Sequence, residues 1–103
     1  MRTNKYQPSN SVFRFGQKQA GFIDFLKPNY SEYSIYRTLG YVQSVLVTNI
    51  VKEIAGVDCI YDVKDLEHLD KIVKRVRKED QNTRLHKVYS AAVHRYIRYF
   101  EQR

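Results

Sequence analysis

A chain of 103 residues with 43% hydrophobic and 28% charged content is long enough for one packed domain, too short for two, and too apolar for wholesale disorder. Its formal net charge of +7 and pI near 9.6 favour an anionic partner, nucleic acid before acidic protein or lipid. The lone Cys59 excludes an internal disulfide framework and a multi-cysteine zinc site, and no apolar run nears the roughly 18 residues of a membrane span, so a cytoplasmic protein is expected.

Residues 1–16 read as an extended, flexible basic arm. Pro8 with its Ser and Asn neighbours gives no helical period, and Arg2, Lys5 and Arg14 leave the stretch cationic. Phe13 and Phe15 are placed to pin it to the body. Weak packing is expected over residues 1–10, with contact to phosphates or a minor groove.

The first helix is expected over 17–27, with Ala20, Phe22, Ile23, Phe25 and Leu26 as its apolar content. Pro28 ends it, because proline disfavours the helical conformation of the residue before it. Gly21 weakens it. A long second helix is expected over 32–55, capped by Ser31 or Ser34 and stopped by Gly56. Ile35, Leu39, Val42, Val45, Leu46, Ile50 and Ile54 form its apolar stripe, and few charges interrupt it. Such a helix belongs at the centre of a fold.

A third helix is expected over 63–78, opened by Asp62, with Val63, Leu66, Leu69, Val73 and Val76 facing inward. Acids crowd its start and Lys71, Lys74, Arg75, Arg77 and Lys78 its end, an order that suits the helix dipole. The fourth helix is expected over 83–102, capped by Asn82 or Thr83. At about 100° per residue, Leu85, Val88, Tyr89, Ala92, Val93, Tyr96, Ile97 and Phe100 fall on one half of it. Arg84, Lys87, Ala91, His94, Arg95 and Arg98 fall on another arc. The expected architecture is therefore all-α, a four-helix, bundle-like single domain over 17–103 behind the basic arm. Leu39, Leu46, Leu69, Val73, Ala92 and Tyr96 lie at the centres of their stripes and are expected in the core.

Charge is uneven along the chain. Residues 1–30 set five Lys/Arg against Asp24, residues 31–70 set three against seven acids, and residues 71–103 set ten against three. The cationic field concentrates in the last third. If the third and fourth helices are antiparallel neighbours, their basic faces merge into one surface.

Enzyme signatures are absent. His68, His86 and His94 form no His-Glu-x-x-His pattern and have no cysteine at metal spacing. Cys59 reads as a small buried hydrophobe, Asp62 and Asp65 as capping residues, and the glycines stand singly without a phosphate loop. No cofactor is implied. Cations remain to anchor phosphates, with tyrosines and histidines interleaved to reach sugars or base edges.

The order Phe22-Ile-Asp-Phe-Leu26, then Tyr33-Ser-Ile-Tyr-Arg-Thr38 opening a long helix, then Ile60-Tyr-Asp-Val-Lys-Asp-Leu66 before another, continues to Ala91-Ala92 and Tyr96-Ile-Arg-Tyr-Phe100. Over roughly residues 20 to 102 this resembles the N-terminal core-binding domain of tyrosine recombinases and phage integrases, a helical, SAM-like domain, and related domains attached to restriction endonucleases. The resemblance implies a small bundle that clamps one face of a DNA duplex, while a separate domain carries the catalytic Arg, His and Tyr. It implies that the second and fourth helices face DNA, through Arg37 on one and Arg84, Lys87, Arg95 and Arg98 on the other. The sequence ends at Arg103, where such a catalytic domain would begin. The expectation is thus a non-catalytic double-stranded DNA-binding module for recombination, integration or restriction, working with a catalytic domain in cis or a partner protein. The alternative is a helical protein-interaction or regulatory domain with no nucleic-acid ligand, recognisable by an exposed apolar patch.

Overall fold

The computed structural model of the chain describes residues 15–103. Arg2, Lys5, Phe13 and Arg14, and all of the expected arm but Phe15 and Gly16, lie outside the described residues. Those described form α1 (Gln17–Leu26), α2 (Glu32–Val42), α3 (Val45–Ala55), a 3-10 turn (Ile60–Asp62), α4 (Leu66–Arg77), α5 (Asp80–Arg84) and α6 (Val88–Glu101). The class is all-α, with no strand among the described residues.

Two of the long helices expected from the sequence are each broken in two. The helix over 32–55 stops at Val42 and restarts at Val45. Ser44 does both jobs: its hydroxyl donates to the Tyr41 carbonyl at 2.7 Å and accepts from the Val47 amide at 3.3 Å. A serine hydroxyl competes with the helical ladder in this way wherever it can reach a free backbone group. Gln43, just before it, is buried, and its Oε1 accepts from the Tyr61 hydroxyl at 2.6 Å and from the Gln19 side-chain amide. The α2–α3 corner is therefore held by polar groups from α1 and the 3-10 turn. It also turns α3 about its axis: Val47 is buried, Leu46 only partly so, and Val45 is 76% exposed. Leu46 is thus not at the centre of the stripe, because no single helical phase runs through Gln43 and Ser44.

The helix over 83–102 breaks at His86 and Lys87, which adopt left-handed φ of 58° and 64°. Two such residues in succession are costly for side chains with a Cβ. Asn82 holds the corner. It is buried, its Oδ1 accepts from the Ser90 amide at 3.0 Å, and its Nδ2 donates to the Ser90 hydroxyl at 3.2 Å. Asn82 thus lies inside α5, not at the start of one helix over 83–102 as expected, and its side chain serves the first turn of α6 across the corner. Leu85, expected on the buried face, is 43% exposed at this corner.

Other boundaries fall closer to the sequence reading. Ser31 caps α2, accepting from the Ser34 amide at 3.1 Å, and Gly56 closes α3 with φ of 71°. Asp65, not Asp62, caps α4, accepting from the His68 amide at 2.8 Å. Asp62 lies in the 3-10 turn and pairs with Lys18 at 3.0 Å. Lys74, Arg75 and Arg77 occupy the last turn of α4, where the dipole favours cations.

The core forms around α6, which packs most extensively on α4 and α2. Tyr96 is its centre, 1% exposed, meeting Phe22 edge-on at 5.1 Å and Tyr61 at 5.5 Å. Burial pushes its phenol up to about 12. Leu39, Leu69, Val73 and Ala92 are buried with it, as expected. Because α2 covers one flank of α6 and α4 the other, a narrow strip of α6 is left to solvent between them.

Candidate nucleic-acid interface

That strip consists of Ala91, His94, Arg98 and Glu101, with the half-buried Arg95 at its edge; Tyr89, Ala92, Val93, Tyr96 and Ile97 turn inward. The helical period alone requires this division once the apolar face is buried. Arg95 leans toward α2. Its Nη1 donates to the buried Thr38 hydroxyl at 2.8 Å, and its guanidinium stacks 4.7 Å from the Tyr30 ring centre.

On α2, Tyr33, Arg37 and Tyr41 stand one turn apart along one face, the spacing at which helical side chains meet. The Arg37 guanidinium donates to the Tyr33 hydroxyl at 2.8 Å and to the Tyr41 hydroxyl. It also lies 5.5 Å and 5.4 Å from the two ring centres. The hydrogen bonds, Tyr33 first, raise its pKa and keep the cation firmly charged. Arg37 and Arg95 line one cleft of about 160 Å³ together with Ser34, Thr38, Val88 and Ala91.

His94 leans the other way, toward α4, where its Nε2 meets Nη2 of Arg77. A guanidinium has no acceptor, so in this contact the imidazole nitrogen offers its lone pair. Partial burial, then the charges of Arg77 and Arg98, lower its pKa, while Asp70 opposes them. Arg98 follows His94 by one turn on the same strip. One face therefore runs from Arg37 on α2 across Arg95, Arg98 and His94 on α6 to Arg77 on α4.

Of the remaining expected site residues, Lys71, Arg75 and Arg84 are paired with acids, and Lys74, Lys78 and Lys87 are exposed. Arg75 turns to the far side of α4 and pairs with Glu53 of α3 at 3.0 Å and Glu79 at 3.9 Å. Lys71 pairs with Glu67 at 3.7 Å one turn away on α4. Arg84 stands on α5 with Asp80 at 3.6 Å, and Lys87 sits at the left-handed corner. The corner removes Arg84 from α6, so the single arc expected from Arg84 through Arg98 does not exist as one helix face.

The tyrosines around Arg37 carry no charge and were not singled out by counting cations, although Tyr33, Arg37 and Tyr41 at four-residue spacing are readable in the sequence. Cys59 is buried with its thiol donating to Asp62 at 3.3 Å, and burial raises its pKa, which makes it a poor nucleophile. Among the described residues no group of three or more His, Cys, Asp or Glu could hold a metal, and no helix is long and apolar enough to cross a membrane. No protein-family model, curated protein or solved structure matches the chain.

Proposed function

We propose that the chain is a non-catalytic module that grips the phosphate backbone of double-stranded DNA, in the service of recombination, integration or restriction. The observation that carries this reading is the face centred on α6, where Arg37, Arg95, Arg98 and Arg77 arrive from three helices. A helix whose flanks are packed and whose exposed strip carries Arg98, with Arg95 at its edge and Glu101 at its end, presents a ridge to a duplex, and phosphate contacts of this kind supply most sequence-independent affinity. The resemblance to recombinase core-binding domains supports the same side of the molecule. It implicates the second and fourth helices of the sequence reading, which correspond to α2 with α3 and to α5 with α6. Among the described residues the exposed large apolar side chains, Tyr33, Val45, Leu66 and Leu85, come from four separate stretches of the chain, which lends the protein-docking alternative little.

Fluorescence anisotropy with a random-sequence duplex at 50 and 200 mM salt tests the proposal. Saturable binding at the lower salt that weakens steeply at the higher is expected. Absence of binding at 50 mM by protein shown to be folded by circular dichroism would sink it.

A further inference from the structure

The cleft between α2 and α6 is followed, past Arg37 and Tyr41, by a second and larger hollow. It measures about 490 Å³ and is lined by Tyr33, Tyr36, Gly40, Tyr41 and Tyr89. Arg37 and Tyr41 belong to both, so the two hollows form one groove with a cationic end and an aromatic end.

Two further observations bear on what the groove is for. The ion pairs among the described residues engage Lys18, Lys27, His68, Lys71, Arg75 and Arg84, whereas the partners of Arg37 and Arg95 are the neutral hydroxyls and rings of Tyr33, Tyr41, Thr38 and Tyr30. These two guanidiniums are fixed in place without being neutralised. The other observation is Gly40. It lies inside α2, where glycine is a poor helix former, and a Cβ built there would meet nothing within 4 Å. No contact among the described residues requires a glycine at this position. What the missing side chain does is open the aromatic end of the groove.

We infer that this groove takes one unpaired nucleotide of the bound DNA, with its phosphate between Arg37 and Arg95 and its base among the tyrosines around Gly40. The inference rests on the DNA-binding reading and adds a ligand class to it. Planar guanidiniums match phosphate oxygens two at a time, and tyrosine rings stack on any base. A base inside a perfect duplex must first be unstacked to enter, so a strand with an already unpaired base is favoured. A lone phosphate on a peptide would use the cationic end equally well. The continuation of the basic face along α6 to Arg98 and Arg77 fits a polyanionic strand better.

The test compares three labelled duplexes of one sequence: perfect, carrying a single unpaired thymidine, and carrying an abasic residue at the same point. The thymidine bulge is expected to bind about tenfold more tightly than either of the others, as the stacking of one base allows. Gly40→Ala should remove the preference for thymidine over the abasic bulge and leave perfect-duplex affinity within about twofold. Gly40→Ala should also raise the melting temperature, which separates loss of binding from loss of folding. Equal affinity for the thymidine and abasic bulges overturns the inference while leaving duplex binding intact. Failure to bind all three overturns the underlying DNA reading. A phosphotyrosyl peptide that displaces the bulged duplex more effectively than an oligothymidine strand overturns the assignment of the groove to a nucleotide.

Discussion

The Tyr99 phenol rests on the bare Cα of Gly21, so close that a methyl group there would overlap its oxygen. The same ring lies 5.6 Å from Phe22 and 5.7 Å from Phe25, so α1 docks on the end of α6 through this glycine. By propensity alone, Gly21→Ala would gain up to about 1 kcal/mol in α1. Overpacking, at about 1–3 kcal/mol, opposes it and should prevail. A lower melting temperature for Gly21→Ala is expected, largely restored in Gly21→Ala with Tyr99→Phe, since the hydroxyl is the overlapping atom. A higher melting temperature for the single variant would show that Tyr99 moves aside freely.

The α2–α3 corner changes which leucine matters. Leu39 is fully buried, and Leu39→Ala should cost about 2–5 kcal/mol, a large part of a typical total of about 5–15. Leu46 is only partly buried, and Leu46→Ala should cost clearly less. Equal costs in denaturant titrations would mean that the two helices run on as one in solution.

Helix class and most core positions were legible because they depend on a period of about 3.6 residues, which Leu69, Val73 and Val76 display along α4 and Tyr89, Ala92, Val93 and Tyr96 along α6. The corners were not. Ser44 and Gln43 carry no breaking signal as strong as Gly or Pro, and what fixes them is a hydroxyl from Tyr61 and an amide from Gln19, distant in sequence. His86 and Lys87 are likewise poor advertisements for left-handed backbone, and the compensation comes from the buried Asn82. The facing of the cationic residues was not legible for a related reason. Charge is visible in a sequence, but whether Arg75 faces Glu53 or a ligand depends on which helix covers each flank of α4.

Asn82 should be among the most sensitive polar positions. Asn82→Ala removes both bonds to Ser90 and leaves a buried amide without its acceptor, a loss of about 1–3 kcal/mol. Lys87→Gly should act in the opposite direction, since glycine adopts positive φ without strain, with a gain of about 1 kcal/mol. Thermal melts of the two variants check the pair. If Asn82→Ala melts like the wild type, α6 is capped by something other than this side chain.

His94 predicts a pH dependence with a definite sign. Its pKa is lowered in the folded chain by partial burial and by Arg77 and Arg98, so the unfolded chain takes up its proton first. The folded state is thus fully favoured above the unfolded value of about 6.5 and loses stability as pH falls below it toward the folded value. DNA phosphate beside Arg98 would raise the histidine's pKa again, so duplex affinity should rise as pH falls from 7 to 5.5. Both trends should shrink in His94→Gln, where the amide oxygen still accepts from Arg77 and nothing titrates. Identical pH profiles for variant and wild type would show that His94 is not the group responsible.

Arg75 and Arg77 stand two residues apart on α4 with the same charge, yet they face different neighbours. Arg75 is engaged by Glu53 and Glu79, whereas Arg77 joins the α6 face through His94. If DNA is held by that face, each arginine on it that neutralises a phosphate contributes about one unit to the slope of log affinity against log salt. Arg77→Ala should therefore flatten the slope by about one, and Arg95→Ala likewise, with similar weakening for all sequences. Arg75→Ala should leave the slope nearly unchanged and instead loosen the α3–α4 contact, where an exposed pair is worth about 0–1 kcal/mol. The comparison separates a shaped interface from attraction by net charge, because all three variants lose the same single charge. Equal flattening by Arg75→Ala and Arg77→Ala would mean that the duplex senses only the overall +7, and the α6 face would lose its claim to be the binding surface.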